Sequence, residues 1–369
     1  MRFFAEMRRF PFDDITFEWS DPTLEYAATT KILRLLATIS ADEAGKQSAA
    51  VEELAELLEA VPTASALRYA ASDILVTSSS NYDPKTETAV LRVAVSLWPD
   101  HAGRQLALGS HLLTSGDAKV AEPALRKAVM LNPHDRDAHL DLAAALQRLQ
   151  RPAEGVEHMR AALRIDPDVP DVRTDLGRLL AEILRYEESV EQLKIAVRTE
   201  PSPKAWLSLG LVYSMQEKHD EAIAAFESLL AAHPGHAGAI GALGRELSRV
   251  GKYHRAVSQL RRSLELDPGL SASQGSLAWV LATCPDETVR DGEEALQIAL
   301  QLNRKTRFKN AAYLDAYAAA LAEQGLSADA IDYGEQAAAA ARTANNEGLA
   351  LLIDERVSLY RQRKPYRDK

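Results

Sequence analysis

The chain has 369 residues, with 43 Lys and Arg against 53 Asp and Glu, a formal net charge of −10, 46% hydrophobic but only 6% aromatic residues, and one cysteine. The acidic balance weighs against a nucleic-acid partner, because phosphate binding draws on clustered Lys and Arg, and the lone Cys284 cannot close an internal disulfide. No run reaches the roughly 18 to 20 apolar residues of a transmembrane segment and no apolar stretch of signal-peptide length follows Arg2, Arg8 and Arg9, so a cytoplasmic chain is expected; its alanine and leucine suit packed helices better than sheets.

In chain order, residues 1–22 stand apart. They hold Phe3, Phe4, Phe10, Phe12 and Phe17 out of seven phenylalanines, together with Trp19. Three readings stand: the rings fold back and cap the first helical pair, the segment docks on a second subunit or a membrane surface with Arg2, Arg8 and Arg9 beside it, or it is a remnant of a gene start or fusion. Residues 23–99 predict divergent helical pairs. Leu24 to Ile39 is an apolar-periodic first helix, and Ala50, Leu54, Leu57 and Pro62 mark a second. Leu91, Ala94 and Pro99 close a further pair whose turn carries a polar insert from Ser78 to Lys85.

Residues 100–268 are strictly periodic. Pro99, Pro133, Pro167, Pro201, Pro234 and Pro268 are 34, 34, 34, 33 and 34 residues apart. Leu108, Leu142, Leu176, Leu209, Leu243 and Leu277 also show one interval of 33 and four of 34. A small residue follows each leucine: Gly109, Ala143, Gly177, Gly210, Gly244 and Ala278. Twelve residues before each repeat-ending proline lies a second small one, Ala121, Gly155, Ser189, Ala222 or Ala256, and four residues further on a large apolar one, Leu125, Met159, Leu193, Phe226 or Leu260. The pattern predicts two helices in close contact, large against small, the second ended by proline. Gly116 and Gly251 are placed as helix C-caps.

Trp206, Leu209, Gly210, Tyr213, Ala222, Phe226 and Pro234 reproduce the signature W-x2-L-G-x2-Y, A-x3-F, P of the tetratricopeptide repeat, and the chain resembles that family from about Leu24 to Arg363. The resemblance implies an all-α fold: a right-handed superhelical solenoid of about eight antiparallel helix pairs closed by a capping helix. It also implies a protein-protein interaction scaffold that binds a partner segment on its concave face.

Residues 269–345 continue as divergent pairs. Leu277 and Ala278 open a first helix whose turn is lengthened by Cys284-Pro285 to Asp291-Gly292, with its partner helix starting near Glu293. A further pair spans about Ala311 to Arg342, with Leu314, Leu321, Gly325 and Ala330 in register. Residues 346–363 predict an amphipathic helix that covers the open face of the last pair, which has no neighbour to bury it. The basic tail, Arg361 to Lys369, of which residues 364–369 lie beyond that helix, either pairs with acidic surfaces or is disordered, and disorder is the favoured expectation. Leu281-Ala-Thr-Cys-Pro-Asp286, Arg290-Asp-Gly292 and Pro365-Tyr-Arg367 resemble the ending of bacterial tetratricopeptide proteins that carry an enzyme or membrane module. That likeness motivates the alternative function: a regulatory or substrate-recruiting subunit of an enzyme complex, such as a glycosyltransferase or another modification system.

Residues that carry chemistry are sparse. Phosphate-loop, dinucleotide, zinc-protease, nucleophile-elbow and C-x-x-C patterns do not occur. His233 and His236 have metal-like spacing but flank Pro234 in a turn with no Cys or carboxylate beside them, so no catalytic site, metal or cofactor is expected. In the family the inner wall is lined by the first helix of each pair, which here gives Asp141, Asp175, Arg178, Lys204, Leu211, Arg245, Arg249 and Trp279 as the partner-binding candidates, with Gly241 also on the wall. No asparagine lies among these positions, which disfavours both the Lys-Asn-Arg clamp of chaperone-binding members and the asparagine ladder of O-linked N-acetylglucosamine transferases. Asp137, Asp141, Asp171 and Asp175 also oppose nucleic acid. The arginines would pair with an acidic or C-terminal segment. Trp279 is either an exposed hot spot or a ring packed beneath the turn from Cys284 to Gly292.

Overall fold

The computed structural model describes residues 31, 35, 49–51, 53, 54 and 84–368. The phenylalanine-rich segment 1–22, most of the helices expected between residues 24 and 62, and the insert up to residue 83 lie outside the described residues; Pro84 and Lys85 open a helix. The described residues form helices and no strand. The chain divides into two compact units, residues 1–172 and 173–369.

The first unit contains α1 (Pro84–Leu97), α2 (Ala102–Thr114), α3 (Ala118–Leu131), α4 (Arg136–Arg148), α5 (Pro152–Ile165) and the start of α6 (Pro170–Glu182). Its core joins Leu91, Leu108, Leu112, Leu125, Leu142 and Leu146. The second unit contains the rest of α6, then α7 (Tyr186–Thr199), α8 (Pro203–Met215), α9 (His219–Ala232), α10 (Ala237–Arg249), α11 (Tyr253–Leu266), α12 (Ser271–Thr283), α13 (Gly292–Lys305), α14 (Ala311–Glu323), α15 (Ser327–Thr343) and α16 (Glu347–Arg361).

Local chemistry sets these boundaries. The carboxylates of Asp117, Asp135 and Asp291 accept from the Val120, Ala138 and Glu294 amides, and the Ser202 hydroxyl accepts from the Ala205 amide. Each satisfies one of the free amides at a helix start. At the other end, Gly116 and Gly251 take φ of +91° and +74°. Their turns let the Asp117 and Lys252 amides reach back to Leu112 O and Leu247 O at 2.9 and 2.8 Å, the geometry of a glycine-terminated helix.

The paired small and large residues meet as expected. A Cβ added to Gly109, Gly177, Gly210 or Gly244 would lie 2.5 Å from Leu125 Cγ, 2.6 Å from Leu193 Cγ, 2.4 Å from Phe226 Cε1 or 2.8 Å from Leu260 Cγ. Hydrogen at each of these positions is therefore what lets the two helices of a pair approach. The last helix, α16, buries Ala350, Ile353, Val357 and Tyr360, and a Cβ on Gly334 of α15 would meet Val357 Cγ2 at 2.5 Å. That packing covers the apolar side of α15.

Candidate functional site

In the first unit, Asp141 on α4 is already engaged. The Ser110 hydroxyl on α2 donates to its carboxylate, and burial pushes the carboxyl above its ordinary range. A Glu122-Arg126-Arg151-Glu154 cluster ties α3 to α5 at 2.6 to 2.8 Å, and the two arginines hold Glu154 down at about 2.

In the second unit, Asp175 pairs with Arg178 at 3.3 Å and with Lys204 on α8 at 2.8 Å. The two cations share the single Asp175 carboxylate. Leu211 is half-buried against the core that includes Leu209 and Phe226. Gly241 corrects the sequence expectation: it is buried, and a Cβ there would strike Ser273 Oγ at 2.2 Å and Ser263 Oγ at 2.9 Å. Its place is in helix packing.

Arg245 and Arg249, one helical turn apart on α10, flank a carboxylate that sequence reasoning missed. Glu246 has no exposed side-chain surface. It accepts from Ser214 Oγ at 2.7 Å and Arg249 Nη1 at 3.1 Å, and lies 2.8 Å from His219 Nδ1. Arg245 stands further off, 3.8 Å from the same carboxylate. Burial and the charge of Arg249 pull the Arg245 guanidinium below its ordinary value, though an arginine stays charged. The signal for Glu246 was present in the sequence, because the equivalent positions of neighbouring repeats hold Ala145, Leu179, Val212 and Val280.

Beyond α10 a cavity of about 660 Å³ is bounded by α10, α12, α14 and α16, and Arg245, Arg249, Trp279, Tyr313 and Arg356 line it. Three of the eight candidates, Arg245, Arg249 and Trp279, are brought together here. The others, Asp141, Asp175, Arg178, Lys204 and Leu211, do not line it. Arg356 was not anticipated. It is buried with Asp315 in a two-pronged pair at 3.1 and 2.7 Å, its planar face 5.1 Å from the Trp279 ring. Burial raises the Asp315 carboxyl against the pull of that arginine.

One expectation about this end is corrected. The 364–368 segment is ordered against the helices: Tyr366 packs on Trp279 with ring centres 5.8 Å apart, and Arg367 pairs with Glu323 at 2.6 Å. The Asp368 amide donates to Thr283 O at 2.8 Å, and its carboxylate accepts from Trp279 Nε1 at 3.2 Å. Trp279 is accordingly not a free hot spot. A tilted ring contact, a guanidinium and a carboxylate together offset the solvation that a basic segment would otherwise keep.

His236 Nδ1 accepts from the Ala239 amide as the cap of α10. Among the described residues no group of three or more His, Cys, Asp or Glu is arranged to hold a metal ion, and no helix is long and apolar enough to cross a membrane.

Tetratricopeptide-repeat family profiles match residues 106–170 and 174–237, and a further one matches residues 237–270. The matched segments cover α3 to α11 and carry the glycine-to-leucine and glycine-to-phenylalanine contacts described above. Residues 106–270 are tetratricopeptide repeats. No curated protein matches it at a significant level. Solved structures similar to this chain include PilF of Pseudomonas aeruginosa, 25% identical with a TM-score of 0.47 over 56% of this chain and 92% of that one. PilW, a type IV pilus biogenesis factor, is 21% identical with a TM-score of 0.48 over 56% and 94%. MamA from Desulfovibrio magneticus RS-1 is 20% identical with a TM-score of 0.43 over 46% and 96%.

Proposed function

We propose that this chain is an interaction scaffold that takes a carboxylate-bearing segment of a protein partner in the cavity beside α10, α12 and α14. One observation carries the reading. Arg245, Arg249 and Arg356 converge on the cavity, and two buried carboxylates, Glu246 and Asp315, stand against them. With Asp368 also on the lining, the three arginines face three carboxylates and the charges balance in number. Arg245 is the group with the weakest internal partner, so it is the anchor for an incoming carboxylate.

A fluorescent tetraglutamate peptide titrated into the full chain tests this. Arg245→Ala is expected to weaken binding about 10- to 100-fold, the equivalent of one charge-assisted hydrogen bond of roughly 1.5–3 kcal/mol. Raising the salt should weaken it further. Binding unchanged in an Arg245→Ala, Arg249→Ala double variant would remove the proposal.

A further inference from the structure

The chain's own residues 365–368 pack beside the cavity, and Asp368 forms part of its wall. Residues 365–368 are half-buried, and three consecutive side chains make three different contacts. The Tyr366 ring packs on Trp279, with the Arg356 guanidinium 5.1 and 5.4 Å from the two rings. Arg367 points to Glu323, and Asp368 accepts from Trp279 Nε1. Of the three residues Asp368 reaches the cavity, which Trp279, Arg245 and Arg249 also line.

From this arrangement we propose that residues 366–368 display the chemistry of the partner: a protein segment with an aromatic ring, a basic residue and a carboxylate in succession, followed by further acidic residues, displaces them. The inference rests on the scaffold reading above and names its ligand class. The incoming ring replaces Tyr366 on Trp279, the base replaces Arg367 at Glu323, and the first carboxylate replaces Asp368 at Trp279 Nε1. The added acidic residues then reach Arg245 and Arg249, contacts that Asp368 does not make among those described. That is the gain that lets a separate chain compete with a tethered one.

Tethering sets the size of the competition. A segment joined to α16 by residues 362–365 has an effective concentration on the order of millimolar. For a free peptide of roughly 10–100 μM affinity, the tethered copy should weaken apparent binding about 10- to 100-fold. A second copy of the chain is the less favoured occupant, because an exchanged 366–368 segment makes only the contacts it already makes within one chain.

The experiment uses the full chain, a Tyr366→Ala, Asp368→Asn variant that releases the segment, and an Arg367→Glu variant that loosens it while keeping both rings. The probe is a labelled peptide of sequence Lys-Pro-Tyr-Arg-Asp-Glu-Glu, read by fluorescence anisotropy, with tetraglutamate run in parallel. The expected result is binding at least 10-fold tighter to both variants than to the unmodified chain. It should disappear when Trp279→Ala is added or when the peptide's tyrosine is replaced by alanine. Equal affinity for all three proteins, or no loss on removing the tyrosine, overturns the inference. If tetraglutamate binds through Arg245 while the aromatic peptide shows no preference for the released variants, the scaffold reading stands and this one falls. Concentration-dependent dimerisation of the unmodified chain that Tyr366→Ala abolishes would assign the site to a second copy, and would also overturn it.

Discussion

Replacing Gly210 with alanine probes the contact on which the repeat architecture depends. The added Cβ would lie 2.4, 2.7 and 2.8 Å from Phe226 Cε1, Cδ1 and Cζ, whereas carbon atoms prefer about 3.5–4.0 Å. Phe226 has no exposed surface, so its ring must move by about an ångström into a close-packed core. Overpacking of this kind costs about 1–3 kcal/mol, and the better helix propensity of alanine returns at most about 1 kcal/mol. The net expectation is a loss of roughly 1 kcal/mol. In a Phe226→Met background, which with the alanine reproduces the Ala143 and Met159 pair of another repeat, the clash is relieved, and the same alanine should then stabilise the chain. Urea unfolding followed by circular dichroism and tryptophan fluorescence measures all four proteins, with Trp206, packed on the same core, as a local reporter. A coupling below about 0.5 kcal/mol, the usual additivity error, would show that the Gly210-Phe226 contact does not control helix approach.

Other expectations follow from the turns and the buried charges. Leu184 holds a φ of +61° at the turn position where other repeats have Gly116 and Gly251, and its side chain is 70% exposed. Leu184→Gly should therefore raise stability by about 0.5–1 kcal/mol as left-handed strain is removed; a lower urea midpoint contradicts this. Arg356→Met leaves the Asp315 carboxylate buried without its cation and should cost about 3–5 kcal/mol. The loss should grow as pH rises, since the raised Asp315 carboxyl then ionises in an apolar setting, and an unchanged melting temperature would refute it. His158 sits 3.0 Å from His139, nitrogen to nitrogen. Burial, then the charges of His139 and Arg126, hold it below its ordinary value despite Glu154 and Glu157. The unfolded chain consequently binds the proton more readily, so this stabilisation is complete above about pH 6.5 and declines as pH falls below it. His158→Gln should lose less stability than the parent between pH 7.5 and 5.5, and equal losses would exclude the histidine pair as a cause.

The sequence by itself determined the periodic part of this protein. A 34-residue repeat of proline, leucine and small residues fixes which helices pair and which atoms touch, because the excluded volume at Gly210 or Gly109 admits one kind of neighbour. Glu246 was legible in principle, as a charge in a register position that neighbouring repeats fill with apolar residues. What the tertiary structure alone decided is the state of the candidate side chains. Asp141, Asp175, Arg178 and Lys204 carry charges whose availability depends on Ser110 and on one another, and such pairings follow from distance and burial, which residue spacing leaves open. The clearest case is Trp279. Its indole meets Asp368 across 89 residues, a contact that no local pattern encodes, and only the return of the chain onto α12 and α14 brings the two together.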